Sequence, residues 1–194
     1  MHIGLFGGTF NPIHTGHLII ADALINQTSI NKIIFIPAAI PPHKQNQTIS
    51  AAKHRFKMIQ LAIQDFPEFE VSDFEIKRGE VSYTIQTVQC FLDRYTSDTL
   101  YFIIGADSLA EMKLWREPER LIHMIRFIVV NRPGFDMNEI KPEFHENVLW
   151  VNTPLIEISS TQIRQQVRNH QSIRFLVPST VENYIHKNAL YQTV

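Results

Sequence analysis

Short, nearly uninterrupted apolar runs alternate along this 194-residue chain with segments whose apolar residues recur at three- and four-residue steps. Ile3, Leu5 and Phe6 open the chain as a β-strand, and a helix begins at residues 18–25. Lys32-Ile33-Ile34-Phe35-Ile36-Pro37 is apolar on both faces, the pattern of a parallel strand covered on two sides. Residues 38–48 hold too few apolar positions for an element. A helix is expected over 51–66 with Phe56, Ile59, Ile63 and Phe66 as its stripe, then a strand at 69–72. Residues 84–95 form the clearest helix, striped by Val88, Phe91, Leu92 and Tyr95. Strands follow at 100–104, stopped by Gly105, at 127–130, closed by Arg132-Pro133-Gly134, and at 148–151; helices at 161–168 and 179–187 complete the series. This alternation predicts an α/β, Rossmann-like, doubly wound and mostly parallel sheet with helices on both faces. No repeat or linker interrupts it, so 1–194 reads as one domain. Ligands of such sheets sit beyond the carboxyl ends of the strands, which makes 7–17, 37–44, 105–116 and 131–134 the candidate site.

The first of these segments carries the most chemistry. Gly7 and Gly8 have no Cβ, so the backbone can turn tightly and approach a ligand there. Asn11-Pro12 ends the turn. His14 and His17, three residues apart at a helix entrance, can face one side. Backbone N–H groups, the helix dipole and two imidazoles together suit phosphate. An ordinary strand-to-helix turn, structural histidines and half of a metal site are the competing readings. No downstream Cys or His cluster at ligand spacing completes a metal site. Neither the Walker pattern nor the Gly-x-Gly-x-x-Gly fingerprint is present. A second anion signal is Ile158-Ser159-Ser160-Thr161-Gln162-Ile163-Arg164, where Ser159 or Ser160 can cap a helix and Arg164 lies one turn in on the face of Ser160. Alone it reads equally as a plain cap with a solvated arginine. Paired with the first, it makes a clamp for the two ends of a polyphosphate, with bidentate geometry available at the guanidinium.

Composition narrows the class. The formal net charge is −1, so no basic surplus argues for a nucleic-acid partner. Cys90 is the single cysteine, which excludes an intramolecular disulfide framework and fits a reducing cytoplasm. It reads as a small core residue of its helix. No apolar run approaches the ~20 residues that span a bilayer, and no charged and apolar leader precedes the first strand. A cytoplasmic protein without membrane partners is expected.

Gly7-Gly8-Thr9-Phe10-Asn11-Pro12-Ile13-His14-Thr15-Gly16-His17, taken with the Ile158–Arg164 motif, resembles the HxGH nucleotidyltransferases. Pro41-Pro42-His43-Lys44, Ser82-Tyr83-Thr84, Ile104-Gly105-Ala106-Asp107-Ser108, Trp115 and Arg132-Pro133-Gly134 extend the likeness over nearly the whole chain, to the bacterial nicotinate-nucleotide adenylyltransferases. That resemblance implies transfer of AMP from ATP to nicotinate mononucleotide by direct attack, with Mg²⁺ bound mainly by phosphates and water and homo-oligomerisation left open. It implies ATP contacts from Gly7, Gly8, Thr9, Phe10, His14, His17, Gly105, Asp107, Ser160, Thr161 and Arg164, with His14, His17 and Arg164 as the catalytic set. The mononucleotide falls to His43, Lys44, Thr84 and Trp115. The Trp115 face suits a cationic pyridine ring, and Thr84 opens a helix that favours a carboxylate; core packing, plain capping and a solvated loop charge are the other readings of Trp115, Thr84 and Lys44. Two positions depart from the family pattern. Arg116 stands where an aromatic residue is common, and Ala189 where glycine is usual, near the end of the last helix. The rival activities are a preference for nicotinamide mononucleotide, pantetheine-phosphate adenylyl transfer, whose motif usually has Thr in place of His14, and ATP sensing without turnover.

Overall fold

Strands β1 (His2–Gly8), β2 (Lys32–Pro37), β3 (Phe69–Val71), β4 (Thr99–Gly105), β5 (Arg126–Val130) and β6 (Val148–Val151) lie side by side in the order β3-β2-β1-β4-β5-β6, every neighbouring pair parallel. The structure is a computed structural model that describes residues 1–42, 49–131 and 147–192. The chain travels outward from β1 to β3, returns across β1, and travels outward again from β4 to β6. Loops leaving β1 and β4 therefore diverge, and the crevice between them is where such a sheet takes a ligand. The expected doubly wound α/β fold is the one observed.

Alternate residues of each strand face opposite sides of the sheet, so each side acquires its own core. Ile33, Phe35, Ile103 and Ile128 meet helices α1 (Thr15–Gln27), α2 (Ala52–Ile63), α7 (Ser160–Arg168) and α8 (Ser179–Lys187). Ile34, Ile36, Phe102, Ile104 and Phe127 meet α4 (Thr84–Arg94) and α6 (Pro118–Met124) on the other side. Two further short helices, α3 (Phe74–Arg78) and α5 (Ala106–Ala110), and a 3-10 turn at Met112–Leu114 fill the connections. At five to seven residues, α3, α5 and α6 are too short to show a 3.6-residue period in the sequence, and they owe their form to packing. No helix among the described residues is long and apolar enough to cross a membrane.

Three expectations need correction. α2 buries Arg55, Met58, Ile59, Ala62 and Ile63, while Phe56 is half-buried and Phe66 is exposed beyond the helix end. The stripe begins one residue earlier than the apolar pattern suggests, because a charged residue occupies its first position. α1 starts at Thr15, before its first apolar run. Cys90 is half-buried on α4, not part of either core.

At the end of α8, Ala189 has φ 50°, Leu190 N–H donates to Ile185 O at 3.0 Å and Ala189 N–H donates to His186 O at 3.1 Å. This is the left-handed helix ending that favours glycine, so the departure at Ala189 concerns stability. Ala189→Gly is expected to stabilise the fold by about 1 kcal/mol, raising the midpoint of thermal unfolding by about 2–4 °C. An unchanged or lower midpoint in a calorimetric scan would contradict this.

Candidate active site

The glycines of the first motif do not form the turn. Gly7 and Gly8 are the last residues of β1, in register with Ile36 and Pro37 of β2. A Cβ on Gly7 would lie 2.9 Å from the Phe102 ring, and one on Gly8 would lie 3.0 Å from the Phe10 ring. Close packing excludes larger residues there. The turn itself comes later, at Phe10 with φ 47° and at the cis Asn11-Pro12 bond. Phe10 is buried against Phe6, Phe35 and His17, so its ring belongs to the core and its backbone to the loop.

His14 caps α1 in extended conformation, and its N–H donates to His17 Nδ1 at 3.2 Å. The two rings lie face to face but tilted by 31°, with centroids 3.6 Å apart. Since Nδ1 of His17 accepts, the neutral ring carries its proton on Nε2, which makes that edge a donor. Gly16 is explained by the same stack: a Cβ there would approach His14 Nδ1 to 3.1 Å. Thr15 N–H is taken by Leu176 O at 2.9 Å, so fewer helix-start N–H groups face a ligand than the motif alone suggests.

The two motifs, some 150 residues apart in sequence, are joined through the carbonyls of this loop. Ser160 Oγ donates to Pro12 O and Arg164 Nη1 donates to Asn11 O, each at 2.8 Å, while Arg164 Nη2 donates to Thr161 Oγ1 at 3.2 Å. Ser159, not Ser160, caps α7, accepting from Gln162 N–H. Ser160 and Arg164 thus spend part of their hydrogen-bonding capacity on holding the β1–α1 loop, and Arg164 retains further donors in its fork.

Three residues of this arrangement were not foreseen. Arg55 is 1% exposed and donates Nη1 to Thr9 O, Nη2 to Ala39 O and Nε to Ser50 O, at 2.8, 3.1 and 3.0 Å. Asn11, also buried, accepts at Oδ1 from Tyr191 Oη at 3.0 Å and from Ser50 N–H at 3.3 Å. The available signal was the spacing of Arg55 three and four residues before Met58 and Ile59, on the face that α2 buries; nothing local marks Tyr191. Burial lowers the pKa of both Arg55 and Arg164. Burial pushes the Tyr191 phenol up to about 12, against the opposing pull of a Ser50 hydrogen bond and the two guanidiniums.

On the neighbouring strands, Gly105 ends β4 and precedes α5, whose first turn holds Asp107. Because β4 pairs with β1, both stand beside the β1–α1 loop. Ala39 N–H donates to Ser82 Oγ and Ser82 N–H to Ile40 O, which brings the entrance of α4 to the end of β2. Thr84 is the first residue of α4, as expected. Trp115 is half-buried, its ring edge-on to Phe102 with centroids 6.5 Å apart. The Arg116 guanidinium lies 4.7 Å from the centre of the Tyr83 ring and so ties the Trp115 loop to the start of α4. His43, Lys44 and Arg132-Pro133-Gly134 lie outside the described residues. Among the described residues, no group of three or more His, Cys, Asp or Glu side chains could hold a metal ion.

Residues 5–166 match the model of the cytidylyltransferase-like family. Over 191 residues the chain is 40% identical to the nicotinate-nucleotide adenylyltransferase of Bacillus subtilis, with 98% of each chain covered. The chain belongs to the nicotinate-nucleotide adenylyltransferase family. The fold is shared with the Plasmodium falciparum nicotinic acid mononucleotide adenylyltransferase complexed with NaAD, at TM-score 0.82 and 22% identity over 98% of this chain and 97% of that one. The same enzyme complexed with APC matches at TM-score 0.79 and 21% identity, over 98% and 96%.

The elevated Tyr191 value predicts an alkaline effect. Below the ordinary phenol value of 10.0 the group is protonated in folded and unfolded chains alike, and its buried hydrogen bond contributes in full. Between 10 and about 12 the unfolded chain loses the proton first, so stability falls as pH rises, by up to about 2–3 kcal/mol. Urea unfolding from pH 9 to 11.5 should show a shallower decline for Tyr191→Phe than for the unaltered chain. Parallel declines would refute the assignment.

Proposed function

We propose that this chain transfers AMP from ATP to nicotinate mononucleotide, forming deamido-NAD and pyrophosphate in NAD biosynthesis. The observation that carries the reading is the joined pair of motifs: Ser160 and Arg164 bonded to the loop that leads into His14 and His17. One rigid unit thereby presents imidazoles at one end and a guanidinium at the other, matching a triphosphate. We take residues 1–194 to work as one nucleotidyltransferase domain.

In this reading a phosphate oxygen of the mononucleotide attacks the α-phosphorus of ATP. The bond from that phosphorus to the α,β-bridging oxygen breaks, and pyrophosphate leaves with the electron pair. No covalent enzyme intermediate is formed. His17, donating from Nε2, stabilises charge on the phosphate oxygens as the transition state forms. His14 binds beside it. Gly7 and Gly8 at the end of β1 and Thr9 and Phe10 in the loop after it line the ATP site, Ser160, Thr161 and Arg164 hold the β- and γ-phosphates, and Gly105 and Asp107 face the adenosine. Positioning supplies the rest, since in-line transfer needs aligned reactants more than it needs a protein nucleophile. Mg²⁺ would be bound mainly by phosphate oxygens and water, and when bound it would supply neutralisation of the triphosphate charge. Trp115 stacks on the pyridinium ring, the start of α4 at Thr84 favours its carboxylate, and His43 and Lys44 meet the mononucleotide phosphate.

Pyrophosphate release from ATP is to be measured with nicotinate mononucleotide, nicotinamide mononucleotide and phosphopantetheine in parallel. Turnover is expected with the first above the other two; equal or better turnover with the amide would overturn the acid preference, and turnover with phosphopantetheine alone would overturn the substrate. In the same assay His17→Ala should lower kcat by roughly 10²-fold or more, and near-normal turnover would remove His17 from the mechanism. Trp115→Ala should raise the KM for the mononucleotide about tenfold while leaving that for ATP within twofold, given the energy of a desolvated cation–aromatic contact. An unchanged acceptor KM would return Trp115 to core packing.

A further inference from the structure

Tyr191 stands four residues past the end of α8 and beyond residues 5–166, the span of the family match. Its backbone has φ 66°, a conformation that is costly for an aromatic residue and persists only where its surroundings hold it. The ring packs with Leu190 against the core shared by α1, α2, α7 and α8. Its phenol reaches across the fold to Asn11 Oδ1.

Asn11 is a joint among three hydrogen bonds. Its side-chain oxygen accepts from Tyr191 and from Ser50 N–H, and its main-chain oxygen accepts from Arg164 Nη1. The residue is 5% exposed and so has little room to adjust when either partner is lost. Whatever fixes the side chain of Asn11 therefore fixes the carbonyl on which the Arg164 guanidinium rests. We propose that Tyr191 is a positioning residue for the triphosphate, acting through Asn11 to aim Arg164. This inference rests on the ATP-binding part of the function proposed above and names a residue that function does not use.

Several features of the site support such a role beyond packing. The phenol must be protonated to donate, and burial extends its protonated range above the ordinary phenol value of 10.0. Arg55 of α2 holds the Thr9 carbonyl and Ser160 and Arg164 of α7 hold those of Pro12 and Asn11, so Tyr191 adds an anchor from the segment after α8. Removing only the hydroxyl leaves the ring packing in place and leaves Asn11 Oδ1 with the longer Ser50 bond.

Tyr191→Phe isolates that hydroxyl. The KM for ATP and the dissociation constant of α,β-methylene-ATP, measured by calorimetry with Mg²⁺, should each rise about five- to tenfold, the scale of one buried hydrogen bond. The KM for nicotinate mononucleotide should stay within twofold. In an Arg164→Ala background, the further change Tyr191→Phe should alter binding of the analogue by less than twofold, because the residue it aims is gone. Tyr191→Phe with ATP affinity unchanged would overturn the inference whatever happens to the thermal midpoint. So would an effect that persists undiminished in the Arg164→Ala background, or one that weakens ATP and mononucleotide equally. The calorimetric readout needs no acceptor. An unaltered chain that binds the analogue but does not adenylylate nicotinate mononucleotide would therefore refute the proposed reaction while this inference is still decided by binding. An unaltered chain that binds no analogue would refute both.

Discussion

The β1–α1 loop depends on its carbonyl groups being held from several directions. Thr9 O is bonded by Arg55, Asn11 O by Arg164 and Pro12 O by Ser160, and the Asn11 side chain is bonded by Tyr191 and Ser50. Unpaired buried carbonyls are costly, so these donors stabilise a loop that secondary structure cannot satisfy. They also give it one shape. The sheet beneath it is an ordinary parallel sheet; this network turns the end of β1 into a defined surface, and the two histidines are positioned by it.

Arg55 shows what the arrangement demands elsewhere. A guanidinium that is 1% exposed lies on the face of α2 that also buries Met58 and Ile59, with three carbonyl partners and, among the described residues, no carboxylate hydrogen-bonded to it. Desolvation opposes its charge, as the lowered pKa records. Three charge-assisted hydrogen bonds oppose that cost. Because Ala39 and Ser50 flank the loop after β2, the same side chain couples the β1–α1 loop to that segment. The Tyr83–Arg116 contact does similar work at the entrance of α4. An arginine after Trp115 thus has a partner already in place in this chain.

Much of the site was legible locally because its elements are local. Most of the strands carry continuous apolar runs, and β2, β6 and α8 fall at the expected residues. His14 and His17 sit one helical turn apart and meet as their spacing requires. Thr84 opens a helix as read. The short helices α3, α5 and α6 were not visible, since one or two turns carry no period. The stripe of α2 was misplaced because hydrophobic patterning counts Arg55 as a surface residue, whereas the carbonyls that make its burial tolerable come from three separate segments. The glycines at 7 and 8 were assigned to a turn, but the reason for them is the ring of Phe102 on a strand nearly a hundred residues away and the folding back of Phe10.

The sequence alone determined the class of fold, the two anion motifs and the family to which they belong, because each depends on residues within a few positions of one another. Tertiary structure decided how those motifs act together. It placed Ser160 and Arg164 on the carbonyls of Pro12 and Asn11, drew Arg55 and Tyr191 into the same network, and set the protonated edge of His17 through the N–H of His14. The reason is physical. A side chain's tendency to bond a carbonyl is local, but which carbonyl lies within 3 Å of it is fixed only when strands, helices and the chain's last turns have packed.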